Sequence, residues 1–258
     1  MIMRLRWHLA LGLAAFLSGA LLQAPAALMY HWSKSKDKPA PVELLGVQGS
    51  LQHGSAVGVA VNGRPALGGL SWELHPLWLL LANLSAQIRA EAAQTVLESQ
   101  LSLAPGGRVG AHHLNFSGSV KALLTASGQP FMPLDGMARI ENASIKLKLG
   151  WPTRAEGLVQ VQGLAWTLAA NPISLGDFQA ELGTDADVIT AKISAVSGPL
   201  ELSGDMLLKP DRSYAMDLKF RPKPEATPVL RNLLASNGAP DASGYWHLKQ
   251  QGQAPAPP

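Results

Sequence analysis

The chain has 258 residues, 47% of them hydrophobic and 15% charged, with 25 Gly, 19 Pro and no Cys. That apolar content excludes a wholly disordered chain, and glycine and proline dispersed without a three-residue period suit many short strands and turns. Without cysteine there is no disulfide framework, thiolate zinc site, cysteine nucleophile or acylated lipoprotein cysteine. The net charge of +3 is unevenly placed: Arg4, Arg6, Lys34, Lys36 and Lys38 against Asp37 make residues 1–40 strongly basic, and the rest is near neutral. A nucleic-acid binder needs its basic stripe on a folded face, so the composition excludes a nucleic-acid partner.

After a short tail, residues 1–8, comes an uncharged run from Leu9 to Tyr30. At about 1.5 Å per residue it is long enough, as a helix, for a hydrocarbon core of about 30 Å. Trp7 at one end and Tyr30 and Trp32 at the other suit the two interfaces. A cleaved signal peptide competes with this reading, with Ala24-Pro25-Ala26 as its processing site, but the apolar run continues past that site. Lysine and arginine counts do not set the orientation, and a long domain after a short tail is expected outside the cytoplasm. Residues 31–44 read as a charged, then proline-rich linker, residues 45–250 as the folded domain, and residues 251–258 as a disordered tail.

Within the domain, period-two alternation marks strands with one dry face. Ile145, Leu147 and Leu149 form one set, and Ile189, Ala191, Ile193 and Ala195 a second. Leu200, Leu202, Gly204, Met206 and Leu208 form a third, with Tyr214, Met216, Leu218 and Phe220 a fourth. Their close spacing, with Gly198-Pro199 and Pro210-Asp211 between, predicts antiparallel pairing, because a parallel crossover needs a dozen or more residues. Pro76–Leu84 is a short apolar helix or strand, and Ala86–Gln100 is ambiguous with a lean to strand. Thr227-Pro228 caps a helix carrying Leu230, Leu233 and Leu234 and ending at Asn237-Gly238. The expected fold is mainly β: a curved antiparallel sheet, sandwich or half-barrel with a few short helices and one N-terminal transmembrane helix.

No nucleophile elbow, dinucleotide-binding or phosphate-binding loop, zinc-protease helix or calcium loop occurs. His112-His113 reads as a loop-edge pair after Gly106-Gly107, pointing to opposite faces and unable to chelate together. Asp185 and Asp187 read as turn residues, Trp151 and Trp166 as core. The Asn83, Asn115 and Asn142 glycosylation patterns matter only in a eukaryotic secretory context. The sequence therefore offers no catalytic, cofactor-binding or metal-ligating residue.

The ordered motifs resemble the protein N family of the bacterial type II secretion system. They begin at the anchor and the glycine-rich stretch with Gly46, Gly49 and Gly54, then Leu70–Leu77 with Trp72 and Pro76. Gly150-Trp151-Pro152 with Ala155 and Gly157 follows, then Gly198-Pro199 through Gly204. Arg221-Pro222 through Leu230 to Gly238 and Gly244 closes the set, and Gln52 departs from it where a tryptophan is expected. The resemblance implies a single-pass inner-membrane protein with a periplasmic β-rich domain and a non-enzymatic part in exporting folded proteins. Its implied partners are other secretion components, the inner-membrane platform and, as a further candidate, the secretin. A membrane-anchored β-groove handling lipid or lipopolysaccharide is the alternative, distinguished by an open groove in place of a filled core.

Overall fold

The computed structural model describes residues 23–33, 42–61, 63–75, 84–92, 94–126, 129, 131–168, 171–236 and 238–254. Four of the strands expected from alternation are present: β10 (Leu134–Lys148), β13 (Val188–Ser197), β14 (Leu200–Leu208) and β15 (Ser213–Pro222), although Leu149, expected on the dry face, lies past the end of β10 in an exposed turn. Ala86–Gln100 divides into β7 (Leu84–Ala92) and β8 (Thr95–Ala104), with Ala92 directly opposite Thr95. Further strands are β1 (Val42–Leu45), β2 (Gln48–Gly49), β3 (His53–Ala56), β4 (Gly58–Val61), β5 (Arg64–Leu67) and β6 (Gly69–His75). β9 (Arg108–Ser119), β11 (Trp151–Trp166), β12 (Ile173–Asp185) and β16 (Trp246–Gln253) complete the set. β1 thus takes up the end of the segment read as linker, and β16 runs into the segment read as tail. The connection 76–83 lies outside the described residues.

Thirteen strands form one open sheet in the order β16-β15-β14-β13-β12-β11-β10-β9-β8-β7-β6-β3-β2, and β1-β4-β5 form a second, small one. Neighbouring strands pair antiparallel throughout, as their short connections require. Because residues directly opposite share a face, the pairing sorts the side chains sharply. Leu97, Phe116, Ile140, Val159, Ala180, Ile193, Gly204, Leu218 and Leu248 follow one another across one face. The opposite face carries Glu98, Arg139, Gln160, Gln179, Lys192, Asp205, Asp217 and Lys249. One dry face over so many strands explains how a chain with few charges stays strand-rich.

The dry face is covered piecewise. Helix α2 (Val120–Ala126), whose Ala122 N–H is capped by Ser119 Oγ at 3.2 Å, closes a cluster of Phe116, Val120 and Ala138. Helix α3 (Pro228–Ala235) starts as the sequence predicts, with Thr227 Oγ1 accepting from Leu230 N at 3.3 Å and proline in its first turn. Its Leu230 and Leu234 pack with Ile173, Phe178, Leu200 and Ala226. The small sheet lies over β6 and β7, and Val59 and Ala60 of β4 are both buried.

The two ends of the sheet differ in kind. One end has α2, between β9 and β10, and α3, between β15 and β16. The other has the turn 50–52, the hairpin tips 105–107 and 149–150, and the turns 186–187 and 209–212. Helix α1 (Ala26–Ser33) begins at this hairpin end: Leu51 N–H bonds the Ala24 carbonyl at 3.0 Å, and Pro25 bridges Ser50. Ala26 is buried, and Tyr30 Oη accepts from Leu44 N at 2.7 Å. Among the described residues no helix is long and apolar enough to cross a membrane. Residues 1–22, with Leu9 and most of the expected span, lie outside the described residues; Tyr30, its last residue, sits in α1.

Candidate functional site

The expected chemistry-bearing residues are occupied with structure. Ala186 and Asp187 are both left-handed, with φ of 45° and 66°, and close a two-residue hairpin between Asp185 and Val188. His112-His113 does not sit at a loop edge, contrary to the sequence expectation. The pair lies inside β9 where the register with β10 slips, and His113 has φ 50°. His113 Nδ1 meets Asn142 Oδ1 at 2.8 Å, and Asn115 Oδ1 accepts from Asn142 N at 2.9 Å. Two of the three glycosylation-pattern asparagines therefore stitch a bulge; the third, Asn83, lies outside the described residues. Among the described residues no group of three metal-capable side chains comes together. Trp166 packs on the α3 cluster as expected, whereas Trp151 lines a surface cavity with its indole N–H buried and unpartnered.

The motif residues form structural units. Gly54 lies directly opposite Trp72 on β3 and β6, so the first two motifs are one unit. The Trp72 indole lies over Gly54 and donates to the Leu51 carbonyl at 3.0 Å, so any side chain at position 54 would collide with the ring. Gly46 and Gly49 flank it in β1–β2, and Pro76 lies outside the described residues. Gly150 completes the hairpin tip before Trp151-Pro152. Gly198-Pro199 joins β13 to β14, with Gly198 backed against the Gly176 backbone. Gly204 faces Leu218 across β14–β15, the Gly238 carbonyl accepts from Trp246 Nε1 at 2.8 Å, and Gly244 lies in the turn before β16.

A polar cluster that the sequence did not announce braces β16. Tyr245 Oη donates to Glu201 at 2.6 Å, Arg221 Nε donates to the other oxygen at 2.8 Å, and the Arg221 guanidinium lies 4.4 Å from the Tyr245 ring centre. The tyrosine hydroxyl, then the arginine, hold the Glu201 carboxyl below its usual range, and Glu201 in turn raises the Tyr245 phenol. Asp241 is held low first by His247 and then by the Tyr245 backbone N–H. Both carboxyls bind a proton more weakly when folded than when unfolded. Their contribution is therefore complete above the unfolded carboxylate range of about 4 and fades as pH falls through the lower folded values. Chemical melts across that range are expected to lose stability, with a shallower pH slope for Glu201→Gln. Equal slopes for the two proteins would contradict the assignment.

β16 is the outermost strand of the long sheet, and its far side has no strand partner among the described residues. Exposed edges are normally blunted by free lysines, prolines or bulges. Over eight residues β16 has no proline and one lysine, and Lys249 is tied back to Asp217 at 2.9 Å. This is an edge able to accept another strand through main-chain hydrogen bonds.

Comparison with known proteins identifies a family. The family profile of type II secretion system (T2SS) protein N matches residues 40–249. A type II secretion system protein N from Vibrio cholerae serotype O1 (strain ATCC 39315 / El Tor Inaba N16961) is 29% identical over 83% of this chain and 86% of its own length. One from Aeromonas hydrophila is 26% identical over 95% of this chain and 96% of its own length. No solved structure matches. That profile covers most of the chain, which therefore belongs to the type II secretion system protein N family.

Proposed function

We propose that this chain is a non-enzymatic accessory of the type II secretion machinery, anchored in the inner membrane by the apolar segment that starts at Leu9 and precedes α1, with its β-domain in the periplasm. Its partners are the inner-membrane platform components, with the secretin as a further candidate. The observation that carries the reading is the β16 edge, long, exposed and weakly protected. A partner strand added there gains main-chain bonds without any change in the sheet. The test is photo-crosslinking in the full chain from Leu248 and Gln250, with Gln179 in the middle of the sheet as control. Crosslinks to a second secretion component from β16 and not from Gln179 are expected; equal yields from all three positions would overturn the reading.

A second reading is favoured by one observation. The sheet is open, and Leu103, Met206 and Leu248 on its dry face are 50%, 36% and 47% exposed. A lipid-handling groove would use that face, and native mass spectrometry of the detergent-purified chain would then reveal bound lipid.

A further inference from the structure

The hairpin end of the long sheet combines three features that neither the export role nor the β16 edge uses. The first is an exposed apolar tip. Leu149 is 70% exposed and has φ 52°, in the left-handed region that suits glycine or asparagine. It is held there by its own N–H bonding the Gly107 carbonyl at 2.9 Å, and its side chain packs over Gly107. The left-handed backbone belongs to the two-residue hairpin of Leu149 and Gly150, but that turn does not call for a branched aliphatic side chain exposed to solvent. Leu103, near the neighbouring tip, is 50% exposed.

The second feature is uncompensated positive charge. Arg108 and Lys148 lie directly opposite each other on β9 and β10, and Lys146 lies opposite Arg154 on β11. Like charges directly opposite destabilise a sheet. Arg154 is relieved by Glu156 at 2.7 Å, but no ion pair among the described residues involves Arg108, Lys146 or Lys148. These three cations line a cavity of about 830 Å³ together with Trp151, whose buried N–H has no partner, and one carboxylate, Asp187. An anion seated there would relieve the repulsion and satisfy the indole.

The third feature is place. The turn 50–52, which fastens the start of α1, lies at this same end of the sheet. The start of α1 and the charged tips therefore lie at one end of the sheet. In α1, Leu28 and Trp32, one turn apart, are 55% and 76% exposed opposite the face that carries Ala26. Apolar side chains rimmed by lysine and arginine are the chemistry of docking on an anionic bilayer.

We propose that the β8–β9 and β10–β11 hairpin tips dock on the surface of a bilayer containing anionic phospholipid, with Leu149 in the acyl boundary and Arg108, Lys146 and Lys148 around a lipid phosphate. The domain then stands on the membrane by two points, the anchor and the tips, so its β16 edge is held at a set height and angle. This inference rests on the anchored reading above for its geometry, not for its chemistry.

The absence of native cysteine allows a clean test. Leu149→Cys in the full chain, carrying a polarity-sensitive fluorophore, is mixed with vesicles of phosphatidylcholine alone or of phosphatidylcholine and phosphatidylglycerol at roughly three to one. A blue shift and quenching by acyl-chain quenchers are expected only with phosphatidylglycerol, weakening when salt rises from about 0.05 to about 0.5 M. Lys146→Glu with Lys148→Glu should abolish the shift; the salt series carries the same information should that variant not fold. Leu168→Cys, at the helix-bearing end, should report water throughout. A Leu149 label in water on vesicles that have taken up the chain overturns the docking and leaves the anchor standing. A blue shift without stable, salt-resistant incorporation upholds the docking and removes the anchor. A label in water with no incorporation overturns both.

Discussion

Leu230→Ala is expected to lower the unfolding free energy by about 2–5 kcal/mol. Leu230 is the one large side chain among the described residues that is fully buried. It sits where α3 meets β12 and β14, against Ile173, Phe178 and Leu200. An eight-residue helix has little stability of its own, so α3 persists because this contact holds it on the sheet. The cavity left by alanine would be bounded on one side by the sheet and could not collapse easily. The same helix lies in the connection from β15 to β16, so its loosening also frees the edge strand. Denaturant melts of Leu230→Ala and of Val229→Ala, whose side chain is 55% exposed on the same turn, separate packing from propensity. The exposed variant should change stability by no more than about 0.5 kcal/mol. Equal effects for the two would mean that α3 is not docked as described.

Gly54→Ala should cost about 1–3 kcal/mol by overpacking, an unusually large effect for a half-buried strand position. The obstacle is identifiable: a methyl group there would run into the Trp72 ring and come within 2.8 Å of the Ser50 carbonyl. Removing the ring should therefore remove most of the penalty. In a double-mutant cycle with Trp72→Ala, the two changes should be non-additive by about 0.5–3 kcal/mol, the double variant being more stable than the sum implies. The small residual cost belongs to Ser50. Strict additivity would show that the glycine and the tryptophan are not one packing unit, and the link between the turn 50–52 and β6 would fall with it. Because Trp72 also donates to the Leu51 carbonyl, Trp72→Ala alone should loosen the turn 50–52 that holds the start of α1.

Much of the fold was readable locally. β14 has the bounds its alternation implied, from Leu200 to Leu208, because a strand with one dry face repeats every two residues and needs no partner to declare itself. Thr227-Pro228 announced α3 because a cap acts within one turn. The division of Ala86–Gln100 into two strands was hidden because Ala93-Gln94 has none of the usual turn chemistry, and helix propensity competed with alternation. The place of His112-His113 was misjudged for a different reason. Whether two neighbouring residues lie in regular ladder or at a bulge depends on the partner strand, here on Asn142 of β10, far along the chain.

The candidate surfaces divide in the same way. Lys146 and Lys148 were visible as the polar half of an alternating strand, yet nothing local says that Arg108 stands opposite Lys148 or that Leu149 is pinned by Gly107. By itself the sequence determined the strand content, the antiparallel sense, the start of the helix at Thr227-Pro228 and the confinement of excess positive charge to the N-terminal region, because each follows from side-chain period or composition over short spans. The tertiary structure alone decided that the sheet stays open, that β16 is its outer edge, and that the charged hairpins share one end with the start of α1. Those are matters of which strands meet, and long-range pairing depends on register and loop closure between segments whose local patterns look alike.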